Sequence, residues 1–192
     1  RGSMTRSRLW VFSTGRLGSV EALLDRAGAL RRASLSITCA LLETEKRRVL
    51  VDTGFGLRTA RSPRSYPGLR FCAVMPVHLK REETCVGRLE ALGLSPSDIT
   101  DIVLTHLHLD HAGAMEDFPN ARVHVTADEL TLASKPRWPL PTPGYDHRAY
   151  RHGPLWSVFA LDHKPAHGFS RSQDLFGDGS VVALGAEGHS RG

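Results

Sequence analysis

Cysteine is scarce in this chain: Cys39, Cys72 and Cys85 are the three in 192 residues. Their odd number and wide spacing form no Cys-x-x-Cys site, and they read as reduced thiols in a cytoplasmic protein. Long apolar runs are missing as well. No stretch approaches the ~20 uninterrupted apolar residues that span a bilayer, and no short apolar core with a small-residue cleavage site marks a secretory start. Nor is charge of one sign concentrated. The 25 Lys and Arg exceed the 20 Asp and Glu by a net +5 that is spread along the chain, so neither a nucleic acid nor a membrane partner is called for. Repeats and low-complexity tracts are absent. At 41% hydrophobic and 23% charged residues the composition is globular, and the length suits one domain with a substantial core. Arg1-Gly2-Ser3 ahead of Met4 reads as an expression-tag remnant, leaving residues 4–192 as the domain. The residue in excess is histidine, with ten.

The first part reads as strands. Arg8 to Phe12 is a short apolar run ending in the turn-prone Ser13-Thr14-Gly15. Ser34 to Leu42 alternates and then turns fully apolar, and the charged turn from Glu43 to Arg48 leads into Val49-Leu50-Val51, which together predict a hairpin. Val20 to Arg32 is expected to form a short helix, and residues 57–80, with Pro63, Pro67 and Pro76, a loop. Val86, Leu89 and Leu92 at three-residue steps predict an amphipathic helix from Glu82 to Leu94, ended at Gly93. Strands follow at Ile102 to Thr105 and Ala121 to Val125. Thr126 is placed to cap a helix over Asp128 to Ser134, with Glu129 completing a capping box. His124 is expected on the exposed face of its strand. Residues 135–154 carry five prolines and read as a functional loop, and two late strands are expected near Trp156 to Leu161 and Ser180 to Leu184.

Chemistry concentrates directly after the buried strand. Thr105-His106-Leu107-His108-Leu109-Asp110-His111 packs three histidines and a carboxylate into six residues with leucines between. Imidazole and carboxylate are the ligands of borderline divalent metals such as Zn²⁺. At a strand end His106 and His108 point the same way while Leu107 enters the core; as the chain turns into a helix, Asp110 and His111 aim at a neighbouring point, which suggests two adjacent metals. Four unrelated surface residues are the plain alternative. Asp52 closes the apolar run Val49-Leu50-Val51, where it either orients a ligating histidine or simply marks a strand-to-turn junction. His189, after Gly188, is either a ligand from a separate segment or a loop histidine.

Asp52, the H-x-H-x-D-H run at residues 106–111 and Gly188-His189, in this order, resemble the metallo-β-lactamase superfamily of metal-dependent hydrolases. The hairpin from Ala40 to Gly54 and the run from Thr105 to Gly113 are most similar to the N-acyl homoserine lactone lactonase branch. The resemblance implies an α/β fold, an αββα sandwich with metals at one edge between the sheets. It also implies two Zn²⁺ ions: one held by His106, His108 and His189, the other by Asp110 and His111, with Asp52 supporting from behind. A later bridging Asp and a further His complete the pair in that family. The sequence stops at Gly192 without either, so the domain is expected to be truncated at its C-terminus, with part of the second sheet and the last helix missing, and one such chain is not expected to assemble a complete two-metal site.

The implied chemistry is attack of a metal-activated water on an ester or lactone, with Asp110 orienting the nucleophile and carrying a proton to the leaving oxygen. Trp138, Tyr145, His147, Tyr150 and His152 in the proline-rich loop are candidate substrate contacts, or else pack the loop down. His163 and His167, separated by Pro165, read as loop residues. A glyoxalase-type thioesterase and a catalytically silent metal-binding or interaction module stand as alternatives. The expected partner is a small-molecule substrate, and a homo-oligomer is left open.

Overall fold

The alternating and fully apolar segments of the first half assemble into a sheet whose parallel half carries the chemistry at its strand ends. In this computed structural model the structure describes residues 7–20, 32–134 and 144–190. The strands are β1 (Arg8–Val20), β2 (Arg32–Glu43), β3 (Arg48–Val51), β4 (Val77–His78), β5 (Asp101–Val103), β6 (Arg122–Thr126), β7 (Leu155–Phe159), β8 (Ser172–Asp174) and β9 (Val182–Leu184). The helices are α1 (Leu57–Arg61), α2 (Leu69–Val74), α3 (Cys85–Ala91), α4 (Leu109–Ala112) and α5 (Ala127–Ser134). Seven strands pair in the order β4-β1-β2-β3-β5-β6-β7, and β8 pairs with β9 separately. From β4 to β3 the pairing is antiparallel; from β3 to β7 it is parallel.

The expected hairpin forms with Leu42 opposite Val49 and Glu43 opposite Arg48, closed by an Arg48–Glu43 ion pair of 2.9 Å. Side-chain alternation then divides the two faces of the sheet. Leu41, Leu50, Ile102, Val123 and Val125 pack with Leu89, Leu107 and Met115 in the main core. Val51 and Val103, on the other face, line a space of about 440 Å³ shared with Val182 and Leu184 of the β9 segment. A smaller core of Leu17, Ile37, Phe55, Tyr66 and Leu109 lies beside the first.

Several expectations are corrected. β1 does not stop at Ser13-Thr14-Gly15: its pairing with β2 shifts register between Ser13 and Arg16 and resumes to Val20, so the turn-prone residues make a bulge. Residues 57–80 are not a loop. They hold α1, an irregular helical turn at Arg64–Gly68, α2 and β4, each short and bounded by a proline, which hides them from periodicity. Phe71, Met75, Val77 and Leu79 pack them onto the smaller core. α3 begins at Cys85, where Thr84 accepts the Gly87 N–H, and ends at Ala91, so Leu92 lies beyond it, 41% exposed. His124 is 5% exposed rather than on an open face. Its Nε2 lies 2.8 Å from Asp101 Oδ1, and Phe176, from the hairpin joining β8 to β9, covers its ring edge-on at 5.3 Å. β8 was not expected at all.

Of the helix expected over Val20 to Arg32, Val20 and Arg32 belong to β1 and β2 and residues 21–31 lie outside the described residues, as do residues 135–143 of the proline-rich loop, Trp138 included. Among those described, no helix is long and apolar enough to cross a membrane.

Candidate metal centre

Parallel pairing places the chemistry. Val51 of β3 lies opposite Val103 of β5, so the carboxyl ends of two neighbouring strands release Asp52 and Thr105 side by side, where ligands gather in open α/β sheets. Asp52 takes a left-handed backbone at φ 57, unusual for a non-glycine residue. Its position is secured from both directions: its N–H donates to Val103 O at 3.0 Å, and its carboxylate accepts from Thr105 N–H at 2.8 Å and from the Thr105 hydroxyl at 2.9 Å. Oδ2 also meets His111 Nδ1 at 2.8 Å. A carboxylate oxygen accepts, so Nδ1 carries the proton and His111 Nε2 is the nitrogen turned to Asp110, 3.3 Å from its Oδ2.

The same reasoning fixes His106. The Thr105 hydroxyl donates its one proton to Asp52, so towards His106 Nδ1, 3.0 Å away, it can only accept. The imidazole proton therefore sits on Nδ1. Nε2 is left as a bare lone pair, buried and without a hydrogen-bond partner among the described residues. A buried nitrogen of this kind is costly unless something binds it.

Its neighbours supply what a cation requires. Leu107 is fully buried, which turns His106 and His108 to one side. His189 arrives from the turn after β9, and one ligand atom from each of His106, His108 and His189 lies within 4.8 Å of the others. His189 Nε2 is 3.1 Å from His108 Nδ1. His111 stands on the far side of His106, ring centroids 4.0 Å apart, so Asp110 and His111 form a flanking donor pair. Three imidazoles, then a carboxylate and a fourth imidazole, match the donor set of a borderline divalent ion.

Electrostatics sorts the group. Burial, and then the charge of neighbouring imidazoles, lowers His106 below the usual imidazole value and His108 to about 4, so both are neutral and ligand-ready at pH 7. For Asp110 burial opposes ionisation, but the hydrogen bond and charge of His111 outweigh it and hold the carboxyl below its ordinary range. Burial likewise disfavours the His111 cation, yet the bonds to Asp110 and Asp52 raise it to about 10.

The structure therefore brings together Asp52, His106, His108, Asp110, His111 and His189. The proposed substrate contacts divide. Tyr145 lies against the centre, its ring edge-on to His108 at 4.4 Å, but its hydroxyl donates to Glu129 at 2.8 Å. Tyr150 donates to Ala133 O at 3.1 Å and meets Trp156 edge-on at 6.4 Å, so its phenol braces α5. His147 and His152 are exposed. His163 and His167 are exposed loop residues, as expected. Sequence reasoning missed two residues. Thr105 was within the motif but had no role. Glu129 keeps half of the expected capping box: its N–H donates to Thr126 Oγ1 at 3.2 Å. Its carboxylate instead turns inward to Leu107 N–H at 2.8 Å.

Comparison with known proteins follows the same lines. A probable metallo-hydrolase of Mycobacterium tuberculosis is 34% identical over 195 residues, covering 100% of this chain and 62% of the relative. The N-acyl homoserine lactonase AttM of Azorhizobium caulinodans is 30% identical over 191 residues, covering 98% of this chain and 70% of its own. The chain thus spans roughly two thirds of the length of these relatives. Among solved structures, an N-acyl homoserine lactone hydrolase with N-hexanoyl-L-homoserine at its catalytic metal centre shares the fold, with a TM-score of 0.69 and 23% identity over 88% of this chain and 65% of that one. Residues 34–191, which contain every donor of this centre, match the metallo-beta-lactamase superfamily, and the chain belongs to it.

Proposed function

We propose that this protein is a metal-dependent hydrolase that opens a lactone or cleaves a related ester. The observation that carries the reading is the cluster of His106, His108 and His189 around the unpartnered, buried Nε2 of His106. In this reading those three residues hold one divalent ion, zinc by choice of donors, and Asp110 with His111 serve a second. A bound divalent ion supplies the Lewis acid that brings the pKa of water from about 15.7 towards 7 and polarises the carbonyl.

The chain's own groups do the rest. Thr105 fixes the proton of His106 on Nδ1, so its Nε2 is a bare donor before anything binds; Asp52 orients His111 through Nδ1, and His111, an imidazolium without an ion, would release its Nε2 proton on taking one up. Asp110, kept ionised, accepts a hydrogen bond from the attacking water and so aims it at the carbonyl carbon. As the carbon–oxygen bond of the ester breaks, the proton taken up at Asp110 passes to the leaving oxygen. The resemblance to lactonases named above favours a cyclic ester over a thioester. Tyr145 and Tyr150 then act as walls through their ring faces, and His147 as a surface contact. A cytoplasmic setting and a small-molecule partner belong to the same proposal.

The test is hydrolysis of an N-acyl homoserine lactone by the purified protein, carried through the later Asp and His that the family resemblance implies, with and without added Zn²⁺, beside an S-acyl glutathione thioester. Zinc-dependent lactone opening that Asp110→Asn lowers by at least about a hundredfold is expected. Thioester turnover without lactone turnover would move the assignment to the thioesterase alternative.

A further inference from the structure

Glu129 has no part in the chemistry above, yet it is a carboxylate with no exposed surface. Thr126 Oγ1 accepts the Glu129 N–H and fixes the start of α5, which turns this third residue of the helix inward. One oxygen, Oε1, accepts two hydrogen bonds of 2.8 Å, from Leu107 N–H and from the Tyr145 hydroxyl. Oε2 has no hydrogen-bond partner among the described residues. Removing a carboxylate from water is costly, and a leucine would fill the same space without that cost. What the carboxylate adds is its two bonds.

Both bonds lead to His108. Leu107 sits between His106 and His108 with its side chain buried in the core; with its N–H held as well, the segment linking the two imidazoles is anchored through backbone and side chain together. From the other side, Tyr145 meets the His108 ring at 4.4 Å, and Gly144 lies so close that a Cβ there would come within 2.7 Å of that ring. Gly144 O accepts the Leu109 N–H at 2.8 Å. The two halves of the cradle around His108 are thus tied to a single atom of α5.

We infer that Glu129 is a positioning residue of the metal centre, setting through Oε1 the separation and tilt of His106 and His108. This rests on the reading of His106, His108 and His189 as metal ligands. The test titrates the chain with Co²⁺ and follows affinity, visible absorption and melting temperature in Glu129→Leu, Glu129→Gln and Tyr145→Phe. Glu129→Leu is expected to weaken Co²⁺ binding by about tenfold or more and to change the absorption envelope. Glu129→Gln, whose amide oxygen accepts the same two bonds, is expected within roughly threefold of the unaltered chain. Tyr145→Phe, which removes one of the two bonds to Oε1, is expected to weaken binding by a few-fold.

A folded Glu129→Leu with unchanged affinity and spectrum overturns the inference, as does failure of Glu129→Gln to restore them. If Glu129→Leu does not fold, Tyr145→Phe decides, and an unaltered affinity and spectrum there overturn it. Failure of the unaltered chain to take up Co²⁺ strikes the metal reading itself, whereas uptake that no variant disturbs strikes Glu129 alone.

Discussion

At the scale of single residues, the site is a set of proton positions decided by hydrogen bonds. Thr105 carries more of this than its place beside the motif suggested: one hydroxyl links Asp52 to His106. Thr105→Val keeps the shape and removes the link. It is expected to lower metal affinity about tenfold with little change in melting temperature; equal affinity in a calorimetric titration would show that the His106 tautomer is set elsewhere.

Two histidines also give the chain, stripped of metal by chelator, a pH dependence with opposite arms. His111 stands at about 10, above the ~6.5 of an unfolded imidazole, so its stabilisation is complete below about 6.5 and is lost as pH rises towards 10. His108, lowered to about 4, stays neutral while the unfolded chain takes up a proton, so stability falls as pH drops from about 6.5 towards 4. Urea midpoints across this range should show both arms. His111→Gln should flatten the alkaline one, and an unchanged alkaline slope would contradict the Asp52–His111–Asp110 network.

At the scale of elements, the centre is assembled from the strand ends of β3 and β5, the start of α4, the turn after β9 and the segment from Gly144. Gly144 shows how tightly they fit: φ is +92 and a Cβ would press on His108. Gly144→Ala is expected to cost about 1–3 kcal/mol in stability and to weaken metal binding together with it; a variant that melts and binds like the parent would mean the segment yields freely.

What the sequence disclosed follows the same division. The strand, turn and donors at residues 101–111 were legible because periodicity and chemistry fall in one contiguous run, and the β2–β3 hairpin because its turn is local. His189 was legible through the order of motifs that carries the family resemblance, and it does meet His106 and His108; the pairing of Glu129 with Leu107 and Tyr145 and the covering of His124 by Phe176 are contacts between distant segments, which no local pattern encodes. The short helices of residues 57–74 were missed because each is shorter than the window that reveals a periodicity.

At the scale of the whole molecule, the mixed sheet explains why one edge holds every donor. Strands released in parallel end together, and the helices and β8–β9 hairpin on opposite faces bring in the groups that hold those ends in place. A metal that binds only the folded chain must stabilise it by mass action. Zn²⁺ is therefore expected to raise the melting temperature in a concentration-dependent way and chelator to lower it, with the shift abolished in His108→Ala.

The most direct measurement is bound metal per chain, by elemental analysis after dialysis, for the unaltered chain and His106→Ala. At least one tightly held divalent ion in the parent, and one fewer in the variant, is the predicted result. A folded parent that retains no metal, or a variant that retains as much as the parent, would contradict the assignment of His106, His108 and His189 as a metal site.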